Sequence, residues 1–191
     1  MFRHERDKKV SNEVLQGLYG ELYFLKNFMI EKYGVNNAIN SWSGPDARSK
    51  DFAIDKNWYE IKTVGANSSV VRISSLAQLS SEYDGYLVIL RSERMSDSFD
   101  NGESCINDLF KYILSVIDDE AIEGAFLSKL SAYGYDISDE SFVAKFDVKS
   151  MQKYKVSNDF PRLTENDVQR PEICDVGYSL IINSLKPYME E

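Results

Sequence analysis

Histidine is almost missing from this chain. Its 191 residues hold one, His4, in a polar N-terminal segment. Ser-His-Asp and Cys-His catalytic sets, zinc hydrolases and histidine-based nucleases all need a placed imidazole, so these classes are excluded. Cysteine is scarce as well. Cys105 and Cys174 stand far apart and make neither a zinc pattern nor a disulfide framework, which fits a reducing compartment. No apolar run approaches the roughly 20 residues a membrane helix needs. The opening MFRHERDKKVSNE is charged and lacks the apolar core of a secretion signal, so the expectation is a cytoplasmic protein with no membrane contact. Internal repeats, low-complexity tracts and long linkers are absent too. The length suits one domain over residues 1–191, with the polar stretch SERMSDSFDNGES (92–104) as an exposed loop. Hydrolytic chemistry in such a chain rests on carboxylates, lysine and a hard cation.

Positive charge is in deficit, with a formal net charge of −9, but the deficit is local. Residues 92–147 carry four Lys and Arg against thirteen Asp and Glu, whereas residues 1–62 carry ten against nine. An acidic total argues against nonspecific nucleic-acid binding. The first third and the Lys149-Lys153-Lys155-Arg162 stretch escape that objection.

Apolar residues make up 43% and charged residues 28%, the balance of a globular chain. The spacing of Val14, Leu18, Leu22, Leu25 and Met29 predicts a helix over 11–33, with Ser11 or Asn12 as N-cap and Gly34 past its end. Glu21 falls on or beside that apolar stripe, and Gly17 and Gly20 offer close packing. DFAI (51–54) and WYEIK (58–62) read as a hairpin. SSVVRIS (68–74) is extended, SLAQLSS (75–81) is a short helix, and YLVILR (86–91) is a buried central strand. Helices follow at about 104–117 and 119–133, the second opening on acids. SFVAKFDVKSM (141–151) and VGYSLIINSL (176–185) are later strands, or a strand and a helix. The order predicts a mixed α/β domain.

The hairpin carries the chemistry. With a two- or four-residue loop, Phe52, Ile54, Tyr59 and Ile61 share one face, and Asp51, Glu60 and Lys62 share the other. Pairing Ile54 with Tyr59 sets Ala53 against Glu60, Phe52 against Ile61 and Asp51 against Lys62. Two carboxylates at this spacing can hold Mg²⁺ or Mn²⁺ through oxygen. Such an ion acidifies a bound water and stabilises charge growing on a phosphate. A lysine beside it can orient or help deprotonate that water. Taken alone, Glu60 and Lys62 would be a solvated ion pair of little energetic weight.

D-x8-E-x-K on a hairpin, after a helix carrying Glu, resembles the PD-(D/E)XK nuclease superfamily. More particularly it resembles a bacterial PD-(D/E)XK family associated with restriction and phage-defence loci. The matching pieces are GELYFL (20–25), SWSGPDARSKDF (41–52), WYEIK (58–62), SSLAQL (74–79), FPRLT (160–164) and PEICDVGYSL (171–180). The resemblance implies a restriction-endonuclease-like α/β core, a mixed central sheet flanked by helices, and a Mg²⁺-dependent endonuclease acting on DNA. It implies Asp51 and Glu60 as metal ligands with the Ile61 carbonyl, and Lys62 acting on the nucleophilic water. Glu21 would support the metal site, and Gln78 matches a polar position that assists such sites. Asp46, in the literal Pro45-Asp46 dipeptide, is the alternative to Asp51. Asp51 is favoured because it begins the apolar strand and shares the parity of Glu60 and Lys62. Arg162 could touch phosphate or pair with the acidic segment. The competing reading is a nuclease-fold protein that no longer cuts and binds DNA as a subunit of a defence complex. Cutting both strands would favour a homodimer or a partner, and RNA stays open as a substrate.

Overall fold

A computed structural model describes residues 10–46, 50–170 and 172–190. His4 lies outside the described residues.

Helix α1 (Asn12–Phe24) starts where the Ser11 hydroxyl accepts from the Val14 amide at 3.3 Å. It runs through a π-helical stretch at Leu25–Met29 into a last turn, α2 (Ile30–Tyr33), and stops at Gly34, whose φ of 78° suits glycine. The predicted helix is therefore present along its length. Leu15, Leu18, Tyr19, Leu22, Leu25 and Met29 are buried, whereas Val14, expected in the stripe, is 42% exposed. Gly20 allows the helix to approach the sheet: a methyl group there would meet Thr63 Oγ1 at 1.9 Å. Gly17 has open space around it and plays no such part.

Five strands form the main sheet in the order β1 (Phe52–Ile54), β2 (Asn57–Gly65), β4 (Gly85–Arg94), β5 (Phe146–Val156), β7 (Met189–Glu190). β2 and β4 are parallel and the other pairs antiparallel, so the sheet is mixed as expected. β3 (Val70–Ile73) and β6 (Tyr178–Ile181) pair separately as a small antiparallel sheet. β4 is the central strand, and its Leu87, Val88, Ile89 and Leu90 are fully buried because both faces are covered. It runs on to Arg94, so the expected exposed loop begins three residues later than its composition suggested. β5 likewise starts at Phe146, after a 3-10 turn at Glu140–Val143, and continues to Val156.

Each face has its own core. On one, α1, α3 (Val35–Ser41), α4 (Ile106–Ser115) and α5 (Glu120–Ala132) pack Leu22, Phe24, Ile39, Leu109 and Phe126 against Phe52, Tyr59, Ile61, Val88 and Leu90. On the other, β3, β6 and the 3-10 segments Leu76–Leu79 and Ile182–Tyr188 bring Val71, Ile73, Leu79, Leu180 and Leu185 onto Leu87, Ile89 and Tyr154. The hairpin β1–β2 pairs Phe52 with Tyr59, Ala53 with Trp58 and Ile54 with Asn57, around the two-residue turn Asp55-Lys56. The expected register, Ile54 opposite Tyr59, is off by two residues. A slip of two preserves which side chains share a face, so the predicted parity holds although its partners do not.

Candidate active site

β1 begins at Phe52, and the residue before it, Asp51, completes the edge of β2 with its side chain. Asp51 Oδ2 accepts the Ile61 backbone N–H at 2.6 Å. In a strand, the N–H and C=O of one residue point to the same side, so the Ile61 carbonyl faces the same open edge. Glu60 rises from β2 toward the small-sheet face, 2% exposed, with its Oε1 2.8 Å from Lys62 Nζ. Glu21 approaches from α1, 8% exposed. Its Oε2 accepts from Trp42 Nε1 at 2.7 Å, and the Tyr133 hydroxyl lies 2.9 Å from each carboxylate oxygen.

The three carboxylates act on one another. Burial pushes the Glu60 carboxyl up to about 8, and the neighbouring Asp51 charge pushes the same way, against Lys62 and Lys50. Burial also raises Asp51, opposed by the Ile61 N–H and the two lysines. Glu21 lies well above the usual carboxylate range, chiefly from burial and then from Asp51, despite the Trp42 and Tyr133 bonds that favour its anion. Three desolvated acids within electrostatic reach of one another are costly to a fold.

The donor set fits a hard divalent ion: two carboxylates and a backbone carbonyl, all oxygen. Among the described residues no three His, Cys, Asp or Glu side chains form a group that could hold a metal ion. Mg²⁺ keeps several waters and is bound through one or two protein carboxylates plus substrate oxygens, so Asp51 and Glu60 alone would supply its side-chain ligands.

Gln78 is placed differently from the other expected residues. Its Oε1 accepts the Ser74 backbone N–H at 2.7 Å, so the side chain braces the 3-10 turn Leu76–Leu79. Asp46 ends a short 3-10 turn, Gly44–Asp46, five residues before Asp51. Trp42 and Tyr133, which hold Glu21, were not singled out by sequence, nor was Lys50. Lys50 Nζ donates to the Ala77 and Gln78 carbonyls at 2.6 and 2.7 Å and lies 4.1 Å from the centre of the Trp58 ring. Burial holds its ammonium down to about 8, with Glu60 and Asp51 opposing. Its position beside Asp51 was the one available signal.

A mixed five-stranded sheet flanked by helices, with an Asp, Glu and Lys gathered where a hairpin strand gives out, defines a restriction-endonuclease-like fold. The comparison with protein families agrees: residues 1–183 match the model of a family described as "Putative PD-(D/E)XK family member". The chain belongs to that family. No curated protein and no solved structure matches it.

Proposed function

We propose that the protein is a metal-dependent endonuclease that hydrolyses DNA phosphodiester bonds in restriction or phage defence. The observation that carries this reading is the convergence of Asp51, Glu60 and Lys62 at the open edge of β2. Asp51, Glu60 and the Ile61 carbonyl would hold Mg²⁺ or Mn²⁺, and Glu21 would support them from the helix side. The bound ion would acidify a water and neutralise charge on the attacked phosphate. Lys62, next to Glu60, would orient that water and stabilise the hydroxide by its charge. Asp51 is kept in place by the Ile61 N–H, and the buried setting of Glu60 strengthens each charge interaction at the edge. Gln78 would act by holding the turn beside Lys50.

The second reading, a non-cutting DNA-binding subunit, draws on the closed Glu60–Lys62 ion pair, which fills one expected metal ligand. Cleavage of plasmid DNA with Mg²⁺ or Mn²⁺ separates the two. Nicking by the native protein, lost in Glu60→Ala and in Lys62→Ala, establishes the nuclease. Activity surviving in both variants overturns the site. No cutting by any form favours the subunit.

A further inference from the structure

FPRLT (160–164) has no part in the chemistry at Asp51 and Glu60. Phe160 is buried in the small-sheet core, and Arg162, two residues on, donates through Nη1 to the Leu79 carbonyl. Lys50 reaches the same 3-10 turn and donates to the carbonyls of Ala77 and Gln78. Three consecutive carbonyls thus hold two cationic head groups side by side, close enough that the guanidinium charge acts on the ammonium. Neither cation pairs with a carboxylate among the described residues. Some other lysines do: Lys26 with Glu103, Lys145 with Asp108, Lys149 with Asp147. The Glu60 and Asp51 charges offset part of the repulsion between these two cations, and an anion on the Arg162 side would lower it further.

The donors left over show where the anion would sit. The Lys50 ammonium is engaged by two carbonyls and the Trp58 ring, so it contributes charge more than hydrogen bonds. Among the described residues Arg162 donates only to the carbonyl of Leu79, which leaves the rest of its planar donor fork in a geometry that suits phosphate oxygens. Beside it, the buried Tyr178 hydroxyl closes no hydrogen bond of normal geometry; the Leu163 backbone N–H is a weak partner to its oxygen, and the Arg162 charge reaches it. A buried hydroxyl without a well-placed partner is uncommon and calls for one. The same Lys50 is within reach of the Glu60 and Asp51 charges, which ties this corner to the carboxylate edge.

We propose that Arg162, with Lys50 and Tyr178, forms a phosphate-binding subsite. It receives a backbone phosphate of the nucleic acid neighbouring the one attacked at Asp51 and Glu60. The source of the phosphate rests on the nuclease reading, but the anion site does not. A structural role for Arg162, tying the turn, would leave anion binding unmoved.

Two measurements test this on the full chain. The first is melting in phosphate against chloride at equal ionic strength. Native protein is expected to melt higher in phosphate, Arg162→Gln to lose the shift, and Tyr178→Phe, which keeps the ring packing, to reduce it. The second is duplex binding against salt, with Ca²⁺ replacing Mg²⁺. Arg162→Gln is expected to weaken binding about tenfold and lower the salt slope by ~0.9, one phosphate contact. Both outcomes together support a nucleic-acid subsite. A phosphate shift lost in Arg162→Gln, in a protein that binds no DNA, supports an anion site for a free nucleotide and removes the nuclease reading. No phosphate shift in the native protein, or equal shifts in native and both variants, overturns the subsite. Should Arg162→Gln fail to fold, Tyr178→Phe decides by the same readout.

Discussion

The two faces of the sheet both bury a glutamate beside β2, and they handle it in opposite ways. On the helix face, Glu21 is met by neutral donors, an indole N–H and a phenol, inside an aromatic wall where Trp42 stacks on Tyr133 at 6.1 Å. On the small-sheet face, Glu60 is met by the ammonium of Lys62, itself 18% exposed. Neutral donors locked in a core fix a carboxylate in place. A partly exposed lysine can turn to another partner and leave the carboxylate to a cation. The first arrangement holds its carboxylate fixed, and the second leaves its carboxylate free to exchange partners.

The sharpest way to break this comparison is Glu60→Gln, which keeps shape and removes charge. Cutting should fall on the order of 100-fold or more, while the urea midpoint at pH 8 in chelator should not fall. A loss of stability comparable to that of a core deletion would make Glu60 structural. Tyr133→Phe is the matching change on the helix face. It removes the hydroxyl that donates to both Glu21 oxygens and should cost about 1–3 kcal/mol in urea unfolding. If it cost nothing, the two glutamates would not differ.

Proton linkage gives a subtler contrast. Glu60 is raised to about 8 in the fold, above its ordinary value of 4.5. Below that ordinary value both states hold the proton and the fold bears no charge penalty. As pH rises toward 8 the unfolded chain ionises first, so stability in chelator should decline across this window and level off above it. Glu60→Gln should lessen the decline and leave the part due to Glu21 and Asp51, and Mn²⁺ should reverse it. Melting curves between pH 5 and 9 read all three. The smallest effect is expected at the acidic periphery. Lys149→Ala removes the 2.6 Å pair with Asp147 but, with Lys149 42% exposed, should leave the melting temperature and the urea midpoint unchanged.

Much of the site was legible because strands alternate. The period of two placed Asp51, Glu60 and Lys62 on a side distinct from Phe52, Tyr59 and Ile61, and the two-residue slip in pairing could not disturb it. The register itself was hidden, since Asp55 can take the positive φ of 53° that closes a two-residue turn, and nothing in the run Asp55-Lys56-Asn57 marked where the turn would end. Gln78 shared its short helix with the site but had its carbonyl claimed by Ser74, a contact within four residues that composition does not reveal.

By itself, the sequence determined the elements whose causes are local. The Ser11 cap and Gly34 stop bound the first helix, the apolar run of β4 made it central, and the near absence of histidine left the chemistry to carboxylates. Tertiary structure decided what depends on elements meeting. It brought Trp42 and Tyr133 to Glu21, though Tyr133 is 112 residues away in the chain. It drew Lys50 and Arg162 to successive carbonyls of one turn. Caps and periodicities are written in neighbouring residues, whereas the partners of a buried charge are chosen by how two finished faces pack.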